Sequence, residues 1–217
     1  MRDGVTGSRR KEREERERRA VILDVAERLF AEKGLSDTSM AEIAREAEFG
    51  VGTLYKYFED KDTLIRTLVR DRMDAHFEAL EAALLADAAP EELVARTVGT
   101  YLASVKAHSR FFKFFMTSFH PGQASSGGPV DVAFLDERRQ RVIGLAHAVF
   151  QRGIDAGRFA PVGAEALVGA LFGMMMSFHF HGECHLAGGW DADDFKEKIL
   201  TIFFHPVLLV EGRGVMP

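Results

Sequence analysis

The 217-residue chain has one cysteine, one tryptophan, six prolines and no apolar run long enough to cross a bilayer. A lone Cys184 cannot close an intramolecular disulfide, which removes the disulfide-stapled secreted class. The longest apolar run, ALVGALFGMMMSFHF at 166–180, is shorter than the ~20 residues of a membrane span and ends in histidines, so it reads as a buried helix. The charged N-terminus is followed by no apolar stretch, so no secretory signal is expected; the expected location is the cytoplasm, with no membrane partner. Apolar and polar residues do not alternate for long enough to make strands, whereas 3.6-residue periodicity recurs from end to end. The fold class is therefore all-α, with about nine helices.

Positive charge is also in deficit, since the formal net charge is -5. Its distribution matters more than its sum. Residues 1–20 carry eight Arg or Lys against five Asp or Glu, and the rest of the chain carries 20 against 28. DNA affinity depends on local neutralisation of phosphates, so a basic end on an acidic body is compatible with nucleic-acid binding. Paired acids and bases at useful spacing, a nucleophile elbow and a phosphate loop are all missing, so no enzyme, catalytic residue or cofactor is expected.

The first helix places Val21, Ile22, Val25, Ala26, Leu29 and Phe30 on one stripe and stops at Lys33 and Gly34, a basic last turn with a glycine cap. Asp37, Thr38 and Ser39 then offer caps for a short helix with Met40, Ile43, Ala44 and Ala47 on its apolar side. A second short helix spans about Val51 to Phe58. Asp60 caps a long one, in which Leu64, Ile65, Leu68, Val69, Met73, Phe77, Leu80 and Leu84 step by three and four. Pro90 opens the next helix, with Leu93, Val94, Val98, Tyr101, Leu102 and Val105 inward. A short aromatic helix, RFFKFFMTSF, follows and ends before the loop PGQASSGGP at 121–129. Further helices are expected at about 131–155, closed by Gly157, at 163–182, ending near Gly182, and at 191–210.

Three short helices before a long one are the parts of a helix-turn-helix head. A small residue is needed where the paired helices cross, and Ala44 is placed there. The groove-facing helix needs a backbone that approaches phosphates closely, which Gly50 and Gly52 permit, and exposed donors, which Thr53, Tyr55, Lys56 and Tyr57 supply. Leu54 and Phe58 face inward. Lys61 falls in the first turn of the long helix, where its ammonium and the helix amides can converge on a phosphate. Ser39 is a cap that can also touch phosphate.

The run from Arg18 to Ile65 resembles the N-terminal domain of the TetR family of bacterial transcriptional repressors. The resemblance is carried by ILDVAERLFAEKG, TSMAEIA, GTLYKYF and the lysine after it. It implies a homodimer, double-stranded operator DNA as partner, and a C-terminal all-α domain that binds a small effector and releases the DNA. The stretch FQRGIDAGRFAPVGAEALVGALFGMMM resembles, more loosely, the family's entry into its dimerisation helices. Two departures stand out. Glu48 occupies the turn position where the family usually has glycine, and a non-glycine residue at positive φ costs roughly 1 kcal/mol. Gly50 replaces the serine or threonine that often caps the recognition helix, so base readout leans on Gly52, Thr53 and Lys56. The expected layout is a charged arm at 1–15, a DNA-binding domain at 16–62 and an effector and dimerisation domain at 63–217.

Fourteen of the 18 phenylalanines lie at or beyond position 111. Phe111, Phe112, Phe115, Met116 and Phe119 form one face of the short aromatic helix. The helix at 163–182 is apolar nearly all round and must be covered on every side. Its small residues suit a partner subunit and its large ones a cavity. A hydrophobic effector with one polar or acidic end is therefore expected against Tyr101, Phe111, Phe112, Phe115, Met116, Phe119, Met174, Met175, Phe178 and His179. The last two helices are expected to form a twofold four-helix dimer interface. The segment HFHGECH at 179–185 invites a metal reading, but His179 and His181 are two residues apart, so helix-end histidines near a pocket are the simpler reading and no metal is expected. Two alternatives remain: an architectural DNA-binding protein without an effector, and a metal-dependent enzyme using that cluster.

Overall fold

The computed structural model describes the backbone over residues 3–118, 132–185 and 192–207, and side chains over 9–116, 118, 133–176 and 193–204. Among these residues there are helices and no strand. In chain order they are α1 (Asp3–Lys33), α2 (Met40–Glu46), α3 (Val51–Tyr57), α4 (Lys61–Leu85), α5 (Pro90–Ala107), α6 (Ser109–Ser118), α7 (Val132–Asp155), α8 (Ala164–His185) and α9 (Ala192–Val207). No described helix is long and apolar enough to cross a membrane. The loop 121–129, Phe119, and the side chains of Phe178, His179 and the rest of HFHGECH lie outside the described residues.

The predicted helix ends hold where a cap fixes them. Gly34 at φ 85° closes α1 and Gly157 at φ 66° follows α7. The Asp60 carboxylate accepts the Thr63 amide at 2.6 Å and starts α4. Two expectations are corrected. α8 does not stop at Gly182 but runs to His185, because one glycine inside a helix costs only about 1 kcal/mol and does not by itself end it. Residues 3–15 are not a separate arm, because α1 is continuous from Asp3. From residue 9 onward the Arg, Lys and Glu run consists of good helix formers, and the i,i+4 pairs Arg10–Glu14 and Arg13–Glu17 support it, although exposed pairs contribute little each.

The chain divides into two compact units, Met1–Met73 with His108–Val132, and Asp74–Ala107 with Ala133–Pro217. This differs from the sequence-based boundary at residue 62. In the first unit Ile22, Ala26, Leu29 and Phe30 of α1 are buried together with Ile43, Ala44, Leu54, Phe58, Leu64, Ile65 and Leu68. Helix α6 joins this unit because its aromatics pack on α1, with the Phe30 and Phe114 rings stacked at 5.4 Å. Arg72 of α4 ties back to Glu27 at 2.8 Å and to Asp24.

The second unit has Leu93, Val98 and Leu102 of α5 fully or almost fully buried, along with Phe150, Phe159 and Phe203. Helix α5 packs on α9. Glu81 of α4, nearly buried, holds Arg138 at 3.0 Å and Arg141 at 2.8 Å from α7, and Asp74 holds Arg138 at 3.0 Å. Beyond α7 the chain folds back so that the amides of Arg158 and Phe159 donate to the Gly153 carbonyl at 2.8 and 3.2 Å. The Phe159 ring then covers Gly153 and meets Phe150 at 5.5 Å.

Candidate nucleic-acid interface and effector site

Helix α3 is short, and two residues four apart fix which side of it is open. Leu54 is 0% exposed and Phe58, just past its end, is 1% exposed. Gly50, Val51, Gly52, Tyr55 and Lys56 are consequently exposed, with Thr53 and Tyr57 half-buried at the margins. Tyr55 keeps half of its surface in solvent. Gly50 caps the helix without a side-chain bond, as its lack of a hydroxyl requires, and its carbonyl accepts the Thr53 and Leu54 amides at 2.8 and 3.2 Å. A Cβ on Gly52 would meet nothing within 4 Å, so the protein's own packing does not require glycine there. Each fully buried anchor of this kind stabilises by about 1.5–3 kcal/mol, and Leu54→Ala should cost about 2–5 kcal/mol.

Helix α2 is positioned from both ends. Ser39 is its N-cap, with its hydroxyl accepting the Glu42 amide at 3.2 Å. Lys33 of α1 pairs with Glu42, and Arg28 with Glu46 at 3.1 Å. The Lys33 hydrogen bond holds the Glu42 carboxyl below the usual carboxylate range, and Arg28 does the same for Glu46. At the other end the Phe49 amide donates to the Ala44 carbonyl at 2.8 Å and the Glu48 amide to that of Arg45 at 3.1 Å. This is a Schellman closure, in which the residue after the cap takes a left-handed conformation. Glu48 does so at φ 58°, the one non-glycine residue at positive φ among those described. The turn is thus the glycine-type turn, made with a glutamate.

Lys61 also makes bonds within the protein that the sequence did not suggest. Its Nζ donates to the carbonyls of Leu35 at 2.6 Å and Thr38 at 2.9 Å, both in the turn between α1 and α2. Arg19, which reads from the sequence as a solvated side chain, is exposed, and its guanidinium lies 4.8 Å from the centre of the Phe58 ring and 3.4 Å from the Thr67 hydroxyl. Its spacing from both partners carries no short-range signal.

The residues expected to line an effector cavity do not fall in one unit. Phe111, Phe112, Phe115 and Met116 belong to the first unit, where Phe111 and Phe112 are buried and the Phe111 ring stacks on Phe115 at 5.7 Å. Tyr101, Met174 and Met175 belong to the second. There Tyr101 and His76 are each 5% exposed, with their rings edge to face at 5.5 Å. His76 Nδ1 is 2.8 Å from the Ser104 hydroxyl, and the Tyr101 hydroxyl is 3.8 Å from the Met176 sulfur. Burial pushes the Tyr101 phenol well above its ordinary range, so it stays a neutral donor. His76 and Ser104 escaped the sequence reading. The available signal was one polar ring set among Met73, Phe77 and Leu80 on the apolar stripe of α4.

The second unit also has an open cleft of about 750 Å³ that the sequence did not suggest. It is lined by Ala79, Ala82 and Ala83 of α4, Ala86 just past its end, Arg96, Gly99 and Ala103 of α5, and Lys196 of α9. Among the described residues no group of three His, Cys, Asp or Glu is placed to hold a metal ion.

Comparison with known proteins bears on the head first. The profile of bacterial regulatory proteins, tetR family, matches residues 22–68. The HTH-type transcriptional regulator HbdR of Aromatoleum sp. (strain CIB) is 33% identical over 91 residues, covering 42% of this chain and 40% of that protein. The match thus spans less than half of that relative's length. Among solved structures, the ketosteroid transcriptional regulator KstR2 of Mycobacterium tuberculosis is similar with a TM-score of 0.74 at 20% identity, over 89% of this chain and 96% of that one. AibR, solved with isovaleryl coenzyme A and operator DNA, is similar with a TM-score of 0.70 at 21% identity, over 87% and 99%. At these identities the likeness is one of fold.

Proposed function

The chain belongs to the TetR family of bacterial transcriptional regulators, and we propose that it is a dimeric repressor released from a palindromic operator by a hydrophobic small molecule. The observation that carries the DNA half of this reading is the anchoring of α3. With Leu54 and Phe58 buried, Gly52, Thr53, Tyr55 and Lys56 form the open side of α3, with Tyr57 half-buried at its margin, and Ser39 at the start of α2 is also exposed. Tyr55, Tyr57 and Ser39 suit phosphate oxygens; Thr53 and Lys56 suit base edges in a major groove.

Two heads on one operator require a dimer, and α8 supports one. Its Ala166, Gly169, Ala170 and Gly173 are exposed beside Phe172, which keeps 38% of its surface, and Ile202 of α9 keeps 65%. A Cβ on Gly169 or Gly173 would meet nothing within 4 Å, so these glycines are not demanded by the protomer's own packing. A second copy laid against them would approach closely and cover the apolar face, in the isologous manner of a twofold dimer.

The effector reading rests on the second unit. The buried phenol of Tyr101 and imidazole of His76, with the half-buried Ser104 hydroxyl, in the unit that also buries Met175, Leu102 and Phe77, would orient a mostly apolar ligand by a few polar bonds. AibR was solved with isovaleryl coenzyme A, whose short branched acyl group is apolar although the coenzyme that carries it is large and charged. Helix α4 runs unbroken from the head into this unit, so ligand binding at its second half can bias the head. The test is fluorescence anisotropy on a palindromic fragment from the flanking DNA, titrated with acyl and aromatic acids. Specific binding that no hydrophobic ligand relieves would favour an effector-independent architectural protein, and absence of specific binding would sink the reading altogether.

A further inference from the structure

The open cleft of the second unit lies on the side of α5 away from Tyr101. Gly99 and Ala103 line it, and each is two residues from Tyr101, roughly 200° round the helix. The alanines of α4 that face it recur at steps of three and four, so a whole stripe of that helix is short, and about 750 Å³ stands open in front of it.

Gly99 lies in the interior of α5, where alanine is the more stable choice. Its missing side chain has a use. A Cβ there would stand 3.2 Å from Lys196 Nζ and 3.3 Å from Lys196 Cε, so the glycine leaves room for the ammonium end of a lysine from α9. Lys196 is half-buried, and its ammonium makes no hydrogen bond or ion pair with any described residue. The other cation of the cleft is committed, since Arg96 is exposed and pairs with Glu92 at 2.7 Å. A partly desolvated ammonium that lacks an acceptor favours an anion beside it, through a charge-assisted bond stronger than one on the open surface.

We propose that this cleft is a second ligand site, separate from that of Tyr101 and His76, and that it takes a small monocarboxylate. The carboxylate meets Lys196 Nζ, and the apolar body lies along the alanines of α4 and α5. One uncommitted cation, with exposed Asp193 also lining the cleft, disfavours a ligand of higher negative charge. The inference goes beyond the effector reading and does not depend on it.

Initial rates of reductive methylation, read by mass spectrometry at each lysine of the full chain, report on this site alone. With 4-phenylbutyrate at millimolar concentration, labelling of Lys196 should slow on the order of tenfold. Exposed Lys198, which pairs with Asp194 at 2.7 Å, should keep its rate. The neutral 4-phenylbutyramide should shield Lys196 far less. In calorimetry, Lys196→Met with its fold checked by circular dichroism should lose one class of phenylbutyrate sites, and Lys196→Arg should retain it. An unchanged Lys196 rate overturns the proposal even where the acid binds elsewhere on the protein. So does equal shielding by acid and amide, or a Lys196→Met titration that matches the wild type. Labelling of Lys196 that slows only as protein concentration rises would give the cleft to a second copy of the chain instead. Failure of every hydrophobic ligand to release operator would sink the effector reading and leave the Lys196 result standing.

Discussion

Gly153, two residues before the end of α7, sits where two opposing effects on a methyl group can be weighed. In an open helix position Gly→Ala stabilises by about 1 kcal/mol through propensity alone. Here a Cβ would stand well inside van der Waals distance of two carbons of the Phe159 ring and 3.2 Å from a third. That ring is 1% exposed, and it lies 5.5 Å from Phe150, which in turn meets Phe203 at 5.7 Å. It therefore has no solvent side to retreat to. Overpacking costs about 1–3 kcal/mol, and a ring closed in on every side puts this site in the upper part of that range, about 2–3 kcal/mol, so after the propensity gain of about 1 kcal/mol Gly153→Ala should lose about 1–2 kcal/mol net. Urea denaturation of the wild type, Gly153→Ala, Phe159→Leu and the double variant measures it. The cycle should show the two changes partly cancelling, by about 0.5–2 kcal/mol, because the smaller side chain makes room for the methyl. A neutral or stabilising Gly153→Ala, or strictly additive changes, would refute the close approach.

Replacing Glu48 with glycine removes a left-handed strain of about 1 kcal/mol but returns entropy to the unfolded chain, so the urea midpoint should rise slightly or stay level; a clear fall would contradict the Schellman turn. Phe172→Glu on the exposed face of α8 should shift light scattering toward monomer and weaken operator binding, and an unchanged dimer would place the interface elsewhere. The Asp60 carboxyl is held low chiefly by the Thr63 amide, as are Glu42 and Glu46 by Lys33 and Arg28. Folded values below unfolded ones give stability that is present above about pH 4 and lost as pH falls through the folded values. Acid titration followed by circular dichroism should show that loss, with a shallower slope in Asp60→Asn.

Helices were legible because their signals are short-range. The stripes at three and four residues, the glycines after α1 and α7, and Asp60 before α4 all act within one or two turns. The same range explains the errors. The face of α6 was readable, but periodicity does not say which neighbour that face meets, and its Phe114 ring stacks on Phe30 of α1. Gly182 was a reasonable stop signal that a continuing helix overrode. Among site residues, the inward pair Leu54 and Phe58 fixed the open side of α3 from spacing alone. The Lys61 ammonium meets backbone carbonyls 23 and 26 residues away, partners that leave no mark in a sequence. His76 and Ser104, 28 residues apart, meet only once α4 and α5 are packed.

The central claim is that DNA and a hydrophobic ligand compete through one dimer. The most direct measurement is the affinity of a single apolar acid for the protein, by calorimetry, with and without saturating operator. Linkage requires that the operator weaken the ligand by the same factor by which the ligand weakens the operator, typically about 5- to 150-fold. Equal weakening in both directions is the predicted result. A ligand that binds with the same affinity whether or not operator is present would contradict the account.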